Sequence, residues 1–416
     1  MKRIVLLVTA FLIVAGCSSD KVRIGKQLPQ WREGELDIHF INTARGECEY
    51  QILPDGTTIL VDASGSLLKL GEEKSEPLPS KPSDDISAGK VIADYIRHFS
   101  PEVSGGHINY LLITHLHGDH IGSYREWLPM HESGLFRIGS LQEIGDALVF
   151  DKIMDRDWPS YDYPTPAVMD KELIHNYRAY LEWYSTAKGV QVERWNPGSH
   201  SQIVPLHDPG CGVTVQNMSG NGCFWTGEGE NSYTLMPTTE EFLKMDADAI
   251  PGENAYSCSY TLSYGDFDFF LGGDLQINGR SEYPYKDTEA PIAKVSRKVE
   301  VMKADHHGTN NTNSSELLSV LRPDVWIVCP WRDVHPRPAT IDRVLAANPD
   351  CDIFCTNMPE INKPKMGDRL SSIDVQEGHI VVRVAQGGAS YMVYALDDTD
   401  QEYRVKSIHG PYRCEK

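Results

Sequence analysis

This 416-residue chain is short of positive charge and of long apolar runs. It carries 39 Lys and Arg against 59 Asp and Glu, a formal net charge of −20. Nucleic-acid binding draws its affinity from cations that neutralise phosphates, so the balance is adverse to avid nucleic-acid binding, with a local basic cleft left open. No segment approaches the ~20 apolar residues of a membrane span. Also absent are a Gly-x-Ser-x-Gly elbow, a Gly-x-x-x-x-Gly-Lys phosphate loop and a dinucleotide-binding glycine fingerprint. Their absence removes support for a metal-free serine mechanism and for a nucleotide switch. There is no Cys-x-x-Cys spacing of a structural zinc site, no internal repeat and no long low-complexity tract. With 40% apolar and 24% charged residues, the composition is that of a globular protein.

The N-terminus reads as a targeting segment. Met1-Lys-Arg3 is basic, Ile4 to Val14 is apolar, and Val14-Ala-Gly-Cys17 follows. The run suits a signal peptide and is too short for a mature span. Small residues ending at a cysteine resemble a bacterial lipobox. That resemblance implies cleavage before Cys17 and lipidation of its thiol, with residues 1–16 a leader and 17–34 a tether. The mature protein would then be exported and anchored to a membrane on its periplasmic or cell-surface face. An ordinary secretory signal is the alternative. Eight further cysteines are read as disulfides or buried thiols, with Cys211/Cys223 and Cys351/Cys355 the nearest neighbours in sequence.

The centre of the chain is Asn109-Tyr-Leu-Leu-Ile-Thr114, a buried-strand pattern, running into His115-Leu-His-Gly-Asp-His120. Three imidazoles and a carboxylate within six residues are costly unless a cation neutralises and orients them. His115 and His117 can reach one ion from an extended loop, and Asp119 and His120 a second. Later blocks repeat the design of a strand ending in donors. Phe267 to Leu271 delivers Gly272-Gly273-Asp274, and Val301-Met-Lys-Ala-Asp305 delivers His306-His307-Gly308-Thr309.

His-x-His-x-Asp-His after a strand resembles the signature of the metallo-β-lactamase fold superfamily. Leu271-Gly-Gly-Asp-Leu275, His306-His-Gly-Thr309 and the first unit, Ile38 to Ser64, are similar to the branch that includes the ComEC competence protein. The resemblance covers roughly Ile38 to Leu345. It implies an α/β fold, the αββα sandwich of two mixed sheets flanked by helices, over residues 35–416. It implies two divalent cations, zinc foremost and manganese next, with His115, His117, Asp119, His120, Asp274 and His306 as ligands and Asp274 bridging. Asp119, His307 and His335 are the residues expected to act on substrate, Asp119 orienting the attacking water. His335 also fits an ordinary surface turn.

Two stretches depart from that pattern. Residues 123–197 form an aromatic-rich insertion. In its helix, Asp170 to Lys188, the aromatics read as a buried stripe, and the loop Arg156 to Tyr163 reads equally as a lid or wall that stacks on substrate and as ordinary packing. The third histidine that many members give the first cation has no counterpart. Asn217 to Gly222 occupies its place, and His131, His175, His200 and His207 sit in no motif. Residues 378–416 read as a C-terminal hairpin at an edge of the second sheet.

A two-cation pocket generates a hydroxide at neutral pH and stabilises developing charge, which suits phosphoesters best and acyl groups next. The expected protein is thus an extracytoplasmic phosphodiesterase or nuclease-like metallohydrolase. A β-lactamase or other acyl hydrolase, a non-catalytic metal-binding surface lipoprotein and an iron redox enzyme are the alternatives.

Overall fold

The computed structural model describes residues 21–65, 78–279 and 282–415. The expected leader and the Cys17 lipidation site lie outside them.

Among the described residues, seventeen strands alternate with helices. β1 (Leu36–Phe40), β2 (Glu49–Ile52), β3 (Thr58–Val61), β4 (His107–Leu112), β5 (Val149–Asp155) and β6 (Gln191–Arg194) come first. β7 (Val213–Gly220), β8 (Cys223–Trp225), β9 (Ser232–Thr234), β10 (Ser259–Tyr264), β11 (Phe267–Leu271), β12 (Val301–Lys303), β13 (Val325–Val328) and β14 (Asp352–Cys355) follow. β15 (His379–Val384), β16 (Ser390–Leu396) and β17 (Val405–Arg413) close the chain. They form two mixed sheets, ordered β17-β16-β15-β1-β2-β3-β4-β5-β6 and β14-β13-β12-β11-β10-β7-β8-β9.

Side-chain alternation divides the apolar residues into layers. Leu36, Ile38, Phe40, Tyr110 and Leu112 of the first sheet pack against Tyr260, Phe269, Leu271 and Val301 of the second. Leu111 and Ile113 face the other way, onto Ile92, Tyr95, Ile96, Leu141, Tyr177 and Tyr180 of helices. Phe270, Met302 and Trp326 pack outward against Leu317, Leu318, Ile341 and Val344. Each sheet therefore buries one face on the other sheet and one on helices, which is the αββα sandwich.

The helix Ala88–Phe99 starts after Ser87 and buries Val91, Ile92, Tyr95, Ile96 and Phe99 along one stripe. Pro101 follows its C-cap and stops it. Residues 123–197 contribute β5 and β6 to the first sheet, and the helix Glu172–Lys188 buries Ile174, Tyr177, Tyr180, Leu181 and Tyr184 against it. The Arg156–Tyr163 loop is tied into the fold by burial and internal hydrogen bonds. Arg156 is fully buried, and the Asp155 carboxylate accepts from the hydroxyls of Tyr161 (2.5 Å) and Tyr177 (3.0 Å). The C-terminal hairpin is an edge of the first sheet and not of the second, because β15 pairs with β1; it also gains a third strand, β17.

The eight described cysteines are all free thiols, six of them buried. No helix among the described residues is long and apolar enough to cross a membrane.

Candidate metal centre

The C-terminal ends of β4, β11 and β12, from both sheets, converge at one edge of the sandwich, where β-sheet folds place their sites. β4 leads into Thr114–His120, β11 into Gly272–Asp274, and β12 into the turn Asp305–Gly308. His306 and His307 both hold left-handed backbone, φ 45° and 53°. Two adjacent β-carbon-bearing residues there store local strain of the kind found at working sites.

Two groups of donors meet at Asp274. Asp119, His120, Asp274 and His307 offer atoms that all lie within 4.8 Å of one another, and His115, His117 and Asp274 do the same. His120 Nε2 is 3.4 Å from Asp274 Oδ1. His115 Nε2 and His307 Nε2 lie 3.7 and 3.8 Å from Oδ2. His306 stands at the rim, 24% exposed, with Nε2 3.8 Å from the same oxygen. Of the two adjacent histidines, His307 sits in the four-donor group and His306 beside it. His335 is buried and stacks on His307, ring centroids 4.6 Å apart.

Whether these residues fit a cation is decided by their unmet valences. Both Asp274 oxygens and His120 Nε2 are buried without a hydrogen-bond partner. Leaving three such atoms dry would cost about 1–3 kcal/mol each, more for a charged carboxylate. Divalent ions on either side of Asp274 would satisfy all three. The residues fit. This is a candidate two-cation centre.

The electrostatics agree. Burial alone would raise the Asp119 carboxyl, but its hydrogen bond with His307 and the charge of His120 hold it well below the usual range. Asp274 behaves alike, with burial outweighed by His120, His306 and His307. His120 goes far above an ordinary imidazole and His307 up to about 10, in each case because nearby carboxylates, Asp274 foremost, overcome desolvation. Positive charge is thus favoured at His120 and His307, while burial pushes His115, His306 and His335 down toward the neutral imidazole that ligates a cation.

Several functional partners are not evident from the motifs. Asp62, at the end of β3, takes His120 Nδ1 at 2.7 Å and accepts from Thr114 N and Oγ1. It fixes the tautomer that presents Nε2 to Asp274. Asp62→Asn is expected to weaken cation binding 10–100-fold with the fold retained, read by metal titration. Glu47 lies 3.1 Å from His307 Nδ1 and pairs with the fully buried Lys303. Lys303 also donates to Gly273 O (2.8 Å), next to Asp274. Gly46 lets this loop cross the first motif. Its φ is +74°, and a Cβ there would collide with the Asp119 carbonyl oxygen. Trp331 donates its indole N–H to Asp119 Oδ2 (3.1 Å).

The place of a third histidine is filled otherwise. Asn217 bonds the Asn196 carbonyl and Gln202, away from the donors. His131 stacks on Phe136, His175 and His200 meet Asp170 and Glu230, and none of these three nor His207 belongs to a donor group among the described residues. A buried Arg156–Glu253 pair, with bonds of 2.6 and 2.7 Å, supports the first motif instead, Glu253 accepting from Leu116 N (2.9 Å).

No protein-family model matches the chain, and no curated protein matches its sequence. Among solved structures, a presumed metal-dependent hydrolase from Parabacteroides distasonis is similar at 10% identity and TM-score 0.30, over 76% of this chain and 96% of its own. An isothiocyanate hydrolase from Delia radicum gut bacteria aligns at 11% identity and TM-score 0.33, over 82% and 95%. Overlaps this loose add nothing to the donor geometry.

Proposed function

We propose that this chain is a two-cation metallohydrolase of phosphodiesters, with residues 35–416 as its catalytic unit. The observation that carries the reading is Asp274, a buried carboxylate shared by two donor groups and hydrogen-bonded through neither oxygen. Two divalent cations held there would supply Lewis acidity and a nucleophile at neutral pH.

The chain's own residues supply the rest. Trp331 holds the Asp119 carboxylate in place through its indole N–H, leaving Asp119 to orient a water and take up its proton. Arg45 and Arg332 lie over the ring of Trp331, the residue that bonds Asp119, 4.7 and 5.2 Å from its centroid. Guanidinium suits phosphate oxygens, so this local positive charge favours an anionic ester despite the acidic surface. His335 stacks on His307, and in this reading it serves the leaving-group side. The ComEC-like branch is the best match to the order of the motifs, and the Met1–Cys17 pattern supports a lipid-tethered, extracytoplasmic enzyme.

The test is hydrolysis of bis(p-nitrophenyl) phosphate by Ser18–Lys416 with zinc or manganese, against Asp119→Ala. Wild type is expected to turn over, and the variant to lose at least ~10³-fold, about 4 kcal/mol of transition-state stabilisation. Hydrolysis of nitrocefin alone would move the substrate to acyl compounds. Bound cations with no turnover would leave a metal-binding lipoprotein.

A further inference from the structure

The first cation position is one donor short, and a side chain in its wall is unexplained. His115, His117 and Asp274 give three protein donors, against four in the second group. The turn Glu253–Tyr256 runs along this side of the pocket and is tied to it at both ends. Glu253 accepts from Leu116 N, between the two histidines (2.9 Å). The Ser257 hydroxyl lies 3.4 Å from His115 Nδ1 and accepts from Asp274 N (3.0 Å).

Asn254 stands between these anchors. It is buried, and its Oδ1 has no hydrogen-bond partner. Its Nδ2 lies 3.0 and 3.2 Å from the two ring nitrogens of His306. The amide nitrogen is thus engaged with His306, and the oxygen is the atom left over. The carboxamide oxygen is therefore unused beside Glu253 and Ser257, both of which are hydrogen-bonded to the first cation group's backbone or side chains. A buried amide oxygen without a partner costs about 1–3 kcal/mol, which a ligand would recover.

We propose that Asn254 is the remaining protein donor of the first cation position, presenting its carboxamide oxygen where a third imidazole is absent. The inference rests on the two-cation reading above. A neutral, hard oxygen in place of a nitrogen weakens the hold on zinc and suits manganese better. The two positions therefore differ in affinity, the first being the more labile.

Calorimetric titration of zinc and of manganese into wild type, Asn254→Ala and Asn254→His tests this, with thermal melts in chelator to check folding. Wild type is expected to bind two ions of unequal affinity. In Asn254→Ala the weaker ion should lose at least ~10-fold while the tighter is unchanged. In Asn254→His the weaker zinc should tighten and the tolerance for manganese fall. Two ions bound by Asn254→Ala with wild-type affinities would overturn the proposal and leave the two-cation reading intact. Absence of cation binding by wild type would remove both. If Asn254→Ala does not fold, unchanged zinc affinity in Asn254→His overturns the proposal on its own.

Discussion

Asp274→Ala is expected to abolish both cation positions together, whereas His117→Ala should weaken only the first. Asp274 belongs to both donor groups, while His117 belongs to one. Removing a shared ligand costs each ion a charged donor, and the histidines left behind repel one another once protonated. Metal content should fall from about two ions per chain to well under one, and phosphodiester turnover by at least ~10³-fold. The fold should survive, because Asp274 makes no side-chain hydrogen bond to the rest of the protein. Mass spectrometry of metals and a circular dichroism spectrum on the same sample check both halves. A variant that keeps two ions would contradict the bridging role.

Lys303→Met is expected to cause the largest loss of stability of any single change at this centre. Lys303 lies on β12 with no exposed surface, paired with Glu47 and bonded to Gly273 O. Both partners are out of water, so removing the ammonium leaves a buried carboxylate without its counter-charge. Breaking such a pair from one side costs about 3–5 kcal/mol. Glu47→Gln combined with Lys303→Met should recover part of that loss, because no isolated charge then remains. Equilibrium urea unfolding of the two variants measures the difference. Lys244→Met, on an exposed i,i+4 pair with Glu240, is the control and should leave the midpoint unchanged.

How much of this was legible in the sequence follows from where the partners lie along the chain. His115, His117, Asp119 and His120 are adjacent, so their chemistry can be read without a fold. The helices Ala88–Phe99 and Glu172–Lys188 show their buried stripes at helical spacing. Asp62 and Glu47 are harder, since each meets its histidine across 58 and 260 residues, and a lone acid at a strand end looks like a turn. Lys303 did leave a signal, a lysine inside the apolar strand Val301-Met-Lys, which implies a buried counter-charge. The choice between His306 and His307 is not written in spacing. It depends on left-handed backbone at both residues, which turns His307 inward and leaves His306 at the rim. β17 was hidden because Val405 to Arg413 contains Gly410-Pro411 and is largely solvent-facing, so it lacks apolar alternation. Asn254 could not be found from composition, because a single asparagine before a strand reads as a turn residue.

The central claim is that two cations flank Asp274. Crystals of Ser18–Lys416 grown with manganese or zinc, with anomalous diffraction recorded at the metal edge, test it most directly. The account predicts two anomalous peaks, one among His115, His117 and Asp274 and one among Asp119, His120, Asp274 and His307, each within about 2.0–2.3 Å of its donor atoms. No peak at Asp274, or a single ion held by histidines alone, would contradict it.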